Sequence, residues 1–247
     1  MDVVSGFSRT RVRRLAIAFF LWLGTPVVPA APQTPAPDRP GPYVVDIRGA
    51  SGSIPHDATY FPPVPFSTIL PSRGLGLDVG AHIYLNQLGP ARVGLGVSLL
   101  RAHGSSSPPA PPRTTGVTTA ATTAAQPDIN ATFTTLAPQV SFNFGSAAGW
   151  SYISVGIGRA RMKTEASAFT PAATGDNPAV PVPARLADSG DLSSINVGGG
   201  ARWFAKRRLA FTFDLRFHLV SGNAATETLP RAPRTTLIVA SAGMGLR

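Results

Sequence analysis

Few residues in this chain are of types that do chemistry, and their spacing limits what they can do. His103-Gly104-Ser105 sets an imidazole two residues before a hydroxyl, the pair a serine nucleophile and its base would use in acyl transfer. That base must be oriented by a carboxylate, and the nearest acidic residue downstream is Asp128, beyond a long Pro/Ala/Thr-rich stretch. The sequence favours a loop histidine beside a serine run, and no catalytic residue is assigned. His82 and His218 are candidates for a metal, with Asp78 and Asp214 as further ligands, but filling of a polar interior suits all four better. With no cysteine, there is no thiolate for metal, disulfide or catalysis. The glycine-rich runs GLGLDVG (74–80) and NVGGGAR (196–202) lack the strand-to-helix setting of a phosphate loop, and no cofactor is expected.

The elements that must position these residues are strands. In RLAFTFDLRFHLV (208–220) the alternate residues Leu209, Phe211, Phe213, Leu215, Phe217 and Leu219 are large and apolar. Between them stand Ala210, Thr212, Asp214, Arg216 and His218. A period of two makes a strand with two unlike faces. Similar alternation over 43–50, 74–85, 92–101, 133–144, 150–162, 193–205 and 235–246 predicts eight strands in all. Parity then collects Asp46, Arg48, Asp78, His82, Arg202, Asp214, Arg216 and His218 on one face, among Gly, Ser, Thr and Asn. The composition agrees: Gly and Pro number 25 each and only 14% of residues are charged, which favours many strands joined by turns.

The connections carry the topology. NQLGP, GSAAG and KRR are tight turns, whereas 51–73, 102–132, 163–192 and 220–234 are long. Long and short alternate throughout. An up-and-down barrel with both ends on one side of a membrane predicts that rhythm, and a Greek-key sandwich gives no reason for it. A soluble ligand-binding barrel would pack bulky apolar residues inside. Here the face available for the inside is small and polar, so the phenylalanines of 208–220 are expected to face lipid. Tyr43, Phe144, Trp150 and Trp203 fall near strand ends on the inner side of the membrane, where an interface girdle belongs.

Residues 1–30 read as a secretory signal: Arg9, Arg11, Arg13 and Arg14, then the apolar run LAIAFFLWLG, then Val28-Pro29-Ala30 as a cleavage site. That run is 10 residues long, while a spanning helix needs about 20. A Pro-rich linker (31–41) and the barrel domain (42–247) follow. The net charge of +10 falls to +7 without the leader, because 22 − 4 = 18 basic and 12 − 1 = 11 acidic residues remain. An exported barrel with no clustered basic stripe is not expected to bind nucleic acid. Arg101, Arg113, Arg185, Arg231 and Arg234 lie toward the outer side, where guanidinium groups suit lipopolysaccharide phosphates as well as solvent.

On the strength of GLGLDVGAHIYL, LAPQVSFNFGSAAGWSYISVGIG and LAFTFDLRFHLV, the chain resembles the small eight-stranded outer-membrane β-barrels, the OmpA/OmpX/OmpW-like group. The resemblance implies an eight-stranded antiparallel transmembrane barrel with short periplasmic turns and long extracellular loops. It further implies residence in the outer membrane of a diderm bacterium and dealings with the barrel-assembly machinery during insertion. It departs at the C-terminus, where such barrels commonly end in Phe and this sequence reads GMGLR. The function expected is non-enzymatic, in envelope integrity or surface interactions. The alternatives are a channel for small apolar solutes, reached past Tyr60, Phe61, Pro62, Pro63 and Phe66, and a lipid A-modifying enzyme. The last rests on the likeness of His103 and Ser105 to the His-x-Ser of eight-stranded lipid A deacylases.

Overall fold

The computed structural model describes residues 42–55, 57–62, 69–108, 126–146, 148–171, 178–225 and 231–247. The leader, the linker to residue 41, Pro63, Phe66 and Arg113 lie outside the described residues. Nine strands are present among those described: β1 (Tyr43–Ser53), β2 (Arg73–Leu88), β3 (Ala91–Ser106), β4 (Ile129–Ser146), β5 (Gly149–Ala166), β6 (Arg185–Asp188), β7 (Leu192–Phe204), β8 (Leu209–Val220) and β9 (Thr235–Leu246). Eight of them form one antiparallel ring in the order β1-β2-β3-β4-β5-β7-β8-β9. The ring is sealed where β9 returns to β1, with Asp46 opposite Gly245 and Arg48 opposite Gly243. Closure leaves the ring no free edge, which a sheet in hydrocarbon requires.

The strand ends depart from the sequence expectation on the outer side. There β3 runs to Ser106, β4 starts at Ile129 and β5 continues to Ala166. His103 pairs with Thr132 and Ser105 with Asn130, so His103 stands in a strand and not in a loop. Small polar and β-branched residues there gave a weak alternation, yet each strand completes its neighbour's ladder. β4 and β5 have 18 residues each, against about 9–11 needed to span a membrane. Their outer ends therefore project beyond the apolar belt. The short β6 continues β7 along β5, with Lys163 opposite Asp188 and Ala160 opposite Leu192. Residues 189–191 thus stand against 161–162, one residue too many, which is a β-bulge. Gly190 takes the positive φ of 64° that the bulge demands. The turns 89–90, 147–148 and 205–208 are short, and the connections at the other end are long.

Alternation sets the two faces. Along β1 every second residue from Val44 to Gly52 is buried, and along β8 every second residue from Ala210 to Val220. The opposite faces expose Ile47, Leu77, Ile153, Phe211, Phe213 and Met244, each at least 45% accessible. The interior is layered. At the inner end Val44, Tyr84, Trp150 and Tyr152 form an aromatic floor with Phe204 packed on it. The charged residues occupy the middle. The outer end corrects the expectation of an interior polar throughout: Leu100, Ile129, Phe133, Met162, Leu237 and Val239 make an apolar core there. Each has the inward parity, so the strands change from polar to apolar inside the barrel part-way along their length.

Candidate functional site

The middle layer brings together side chains from seven strands. Three guanidinium groups (Arg48, Arg202, Arg216) meet three carboxylates (Asp46, Asp78, Asp214), all at most 6% exposed, so the formal charge of this layer is 3 − 3 = 0. Arg202 of β7 reaches across the lumen to Asp46 of β1, its Nε donating to Oδ1 at 3.1 Å and its Nη2 to Oδ2. The Arg202 guanidinium lies over the Tyr152 ring, 4.2 Å from its centroid. Arg48 is the hub: its Nη2 is 2.9 Å from Asp78 Oδ2, and its Nη1 donates to the Tyr152 hydroxyl at 2.9 Å. That hydroxyl donates in turn to Asp214 Oδ2 at 2.7 Å. Arg216 clasps Asp214 through Nε at 3.1 Å and Nη2 at 2.9 Å. It also donates to Asn196 at 2.9 Å, to Ser154 at 3.0 Å, and to Gln139 Oε1. Ser241 donates to Asp78 at 3.0 Å.

Glycines create the room. A Cβ on Gly96 would stand 2.4 Å from His82 Cδ2 and 2.5 Å from Ala81 O. One on Gly200 would meet Phe213 O at 2.0 Å and the Tyr152 hydroxyl at 2.8 Å. Gly96 and Gly200 are therefore clearances for the interior side chains of His82 and Tyr152.

The two histidines do not share a site. His82 Nε2 lies 2.9 Å from Gln139 Nε2, while the His218 ring packs edge-on against Phe133. Among the described residues no group of three His, Cys, Asp or Glu is placed to hold a metal. His103 Nδ1 lies 3.2 Å from Thr132 Oγ1 on the outside of the barrel. Glu165 and Asp188 are carboxylates on that outer face, which sequence reasoning passed over for Asp128. Register puts Glu165 beside Asn130, two strands from His103 and one row on, Asp188 is engaged by Arg161, and the described partner of the His103 ring is the Thr132 hydroxyl.

The expected site residues fall as follows. Leu209, Phe211, Phe213, Leu215, Phe217 and Leu219 point outward, and Tyr43, Phe144 and Trp203 are exposed near the inner ends of their strands. Trp150 corrects the expectation of a girdle residue: it is 3% exposed and faces inward, edge-on to Tyr84 at 5.6 Å. Its parity places it inside, where it floors the lumen. Tyr152, the phenol that joins Arg48 to Asp214, was missed; its inward parity beside Ser154 was the available signal.

Tyr60 and Phe61 are a second correction. Expected to line an opening, they are 5% and 4% exposed and belong to the outer apolar core. Asp57 starts this lid by accepting bonds from Thr59 N at 2.9 Å and Thr59 Oγ1 at 2.7 Å. Thr164 Oγ1 donates to Tyr60 O at 2.6 Å, and the Tyr60 hydroxyl donates to Pro233 O. The segment 57–62 is thereby fastened over the outer end of the lumen.

A closed eight-stranded antiparallel ring, apolar outside and charged within, is the construction of the small transmembrane β-barrels. No family model matches the chain, and no curated protein matches it. Solved structures with a similar arrangement include Neisserial surface protein A (10% identity, TM-score 0.48, 83% of this chain and 97% of that one). The attachment invasion locus protein Ail of Yersinia pestis, solved with the heparin analogue sucrose octasulfate, follows at 11% identity and TM-score 0.41, covering 83% of this chain and 96% of that one. The Escherichia coli outer membrane protease OmpT aligns at 9% identity and TM-score 0.42, over 86% of this chain and 98% of that one. These likenesses assign no activity.

Proposed function

We propose that this chain is a non-enzymatic outer-membrane barrel of a diderm bacterium, exported by a cleaved leader over residues 1–30, that contributes to envelope integrity or surface interactions. The observation that carries the reading is the filling of the lumen: an aromatic floor, a charge-balanced middle and an apolar core under the 57–62 lid. Eight strands enclose a space that side chains can fill, and here each level has its own set. A deacylase of the His-x-Ser kind would need an oriented base, and His103 meets a threonine hydroxyl instead. The partners of such a barrel are outer-membrane lipids, including lipopolysaccharide phosphates, and the assembly machinery during insertion. The test is fractionation followed by reconstitution in planar bilayers: the protein partitions with the outer membrane and passes no steady current. A sustained open-channel conductance overturns the filled-lumen reading. The same preparation should leave lipid A acylation unaltered, with and without His103→Ala.

A further inference from the structure

On the outer surface, β5, β7, β8 and β9 carry two adjacent rows of unlike chemistry. Register aligns Ile157, Ile195, Leu219 and Thr236 in one row. In the next row outward Arg159 pairs with Ser193, and Ser221 N donates to Ser193 O at 2.9 Å. One residue beyond the paired stretch, Arg234 stands next to Ser221. The rows border a groove of about 600 Å³ that includes Ile195, Leu219, Ser221 and Arg234 in its wall. Its floor is apolar and exposed, with Ile157 68%, Ile195 47% and Leu219 46% accessible.

The cationic end is held in place. Asn223 N donates to Ala232 O at 2.9 Å and Ala232 N to Asn223 Oδ1 at 2.8 Å, which pins the stem of the loop just before Arg234. At the other end Arg159 shares its charge with Asp191 at 3.2 Å. No such carboxylate stands against Arg234 among the described residues. A cation on a pinned backbone, lining the same groove as two serines above an apolar trough, is complementary to an anionic headgroup joined to a hydrocarbon chain.

We propose that this groove binds a phosphate-bearing lipid of the outer leaflet, its phosphate on Arg234, Ser193 and Ser221 and one acyl chain along Ile157, Ile195 and Leu219. The proposal rests on the membrane reading above and names the lipid contact that reading leaves open.

The test uses the protein reconstituted in phosphatidylcholine vesicles containing phosphatidic acid, with brominated chains on one lipid or the other. Val197→Trp, one row deeper and outside the groove, reports the site, and Val97→Trp on β3 reports the opposite wall. Both are made in a Trp203→Phe background, since Trp203 also faces outward. We expect tryptophan at 197 to favour brominated phosphatidic acid about fivefold, the size expected of one basic residue at an anionic surface. Position 97, which has Arg101 two rows outward on its own strand, is the comparison: Arg234→Gln should lower the preference at 197 and leave that at 97 unchanged. An absent preference at 197, or one that survives Arg234→Gln, overturns the proposal. If neither tryptophan is quenched by any brominated lipid, the membrane reading itself is overturned.

Discussion

Removing the Asp46 carboxylate should be among the most costly single changes in this barrel. Asp46 is 0% exposed and accepts from both Nε and Nη2 of Arg202, which is itself 0% exposed, while Arg48 Nη1 stands 3.9 Å away. In Asp46→Ala the middle layer holds three guanidinium groups against two carboxylates, a buried net charge of 3 − 2 = +1. Leaving one member of a buried pair alone costs about 3–5 kcal/mol. Stacking of Arg202 on Tyr152 at 4.2 Å recovers a part, so a value toward the lower end is expected. Asp46→Leu combined with Arg202→Met removes both charges and restores balance, two against two. That double variant should lose no more than about half of what Asp46→Ala loses, because a neutral pair of similar volume needs no counter-charge. The assay is urea unfolding in lipid vesicles followed by tryptophan emission, with Trp150 in the floor beneath the network as the interior reporter. A loss under about 1 kcal/mol for Asp46→Ala, with the two substitutions simply additive, would refute the claim that this pair is a desolvated charge contact.

Phe213→Arg should cost about 2–4 kcal/mol in the same assay by placing a charge on the lipid face, whereas Phe213→Leu should be nearly neutral; the reverse ranking would mean the faces are inverted. Gly96→Ala should cost about 1–3 kcal/mol, since its Cβ would lie 2.4 Å from His82 Cδ2 and 2.5 Å from a backbone oxygen; an unchanged unfolding midpoint would show that the packing is looser than described. At the outer rim, bonding from Arg161, and to a lesser degree from Gly190 N–H, holds the Asp188 carboxyl below the usual carboxylate range. Its folded value being depressed, this contribution is present above the unfolded carboxylate value and is lost as pH falls through the folded one. Amide exchange at Thr164 and Ala166, whose N–H groups face β6 as that of Met162 does, corrected for intrinsic rate, should therefore show β6 opening more readily at about pH 2.5 than at about pH 6; equal protection would remove Asp188 from the account. Trypsin added to intact cells should cut at Arg113 and spare Lys206, Arg207 and Arg208, and cleavage at the latter turn would reverse the topology.

Much of this protein is legible in the sequence, because a strand's side chains alternate strictly and the alternation needs no tertiary context. Asp214 between Phe213 and Leu215 already separates the face that tolerates charge from the one that does not. The rhythm of tight and long connections likewise ordered the strands. What alternation cannot supply is depth and partnership. It says that Asp46 and Arg202 share a face, yet not that they meet across 156 residues of chain. That contact depends on how far each strand is staggered against the next when β9 closes on β1, a property of the whole ring. The same stagger groups Leu100, Phe133 and Met162 into an apolar layer, although each is a single inward residue on its own strand. Tyr60 and Phe61 read alike as a lining or as a lid; the bonds of Thr164 and Pro233 to Tyr60 make them a lid. Trp150 shows the limit at one residue. Its position near a strand end suggested the membrane interface while its parity in the sequence already pointed inward, and the folded barrel decides for parity.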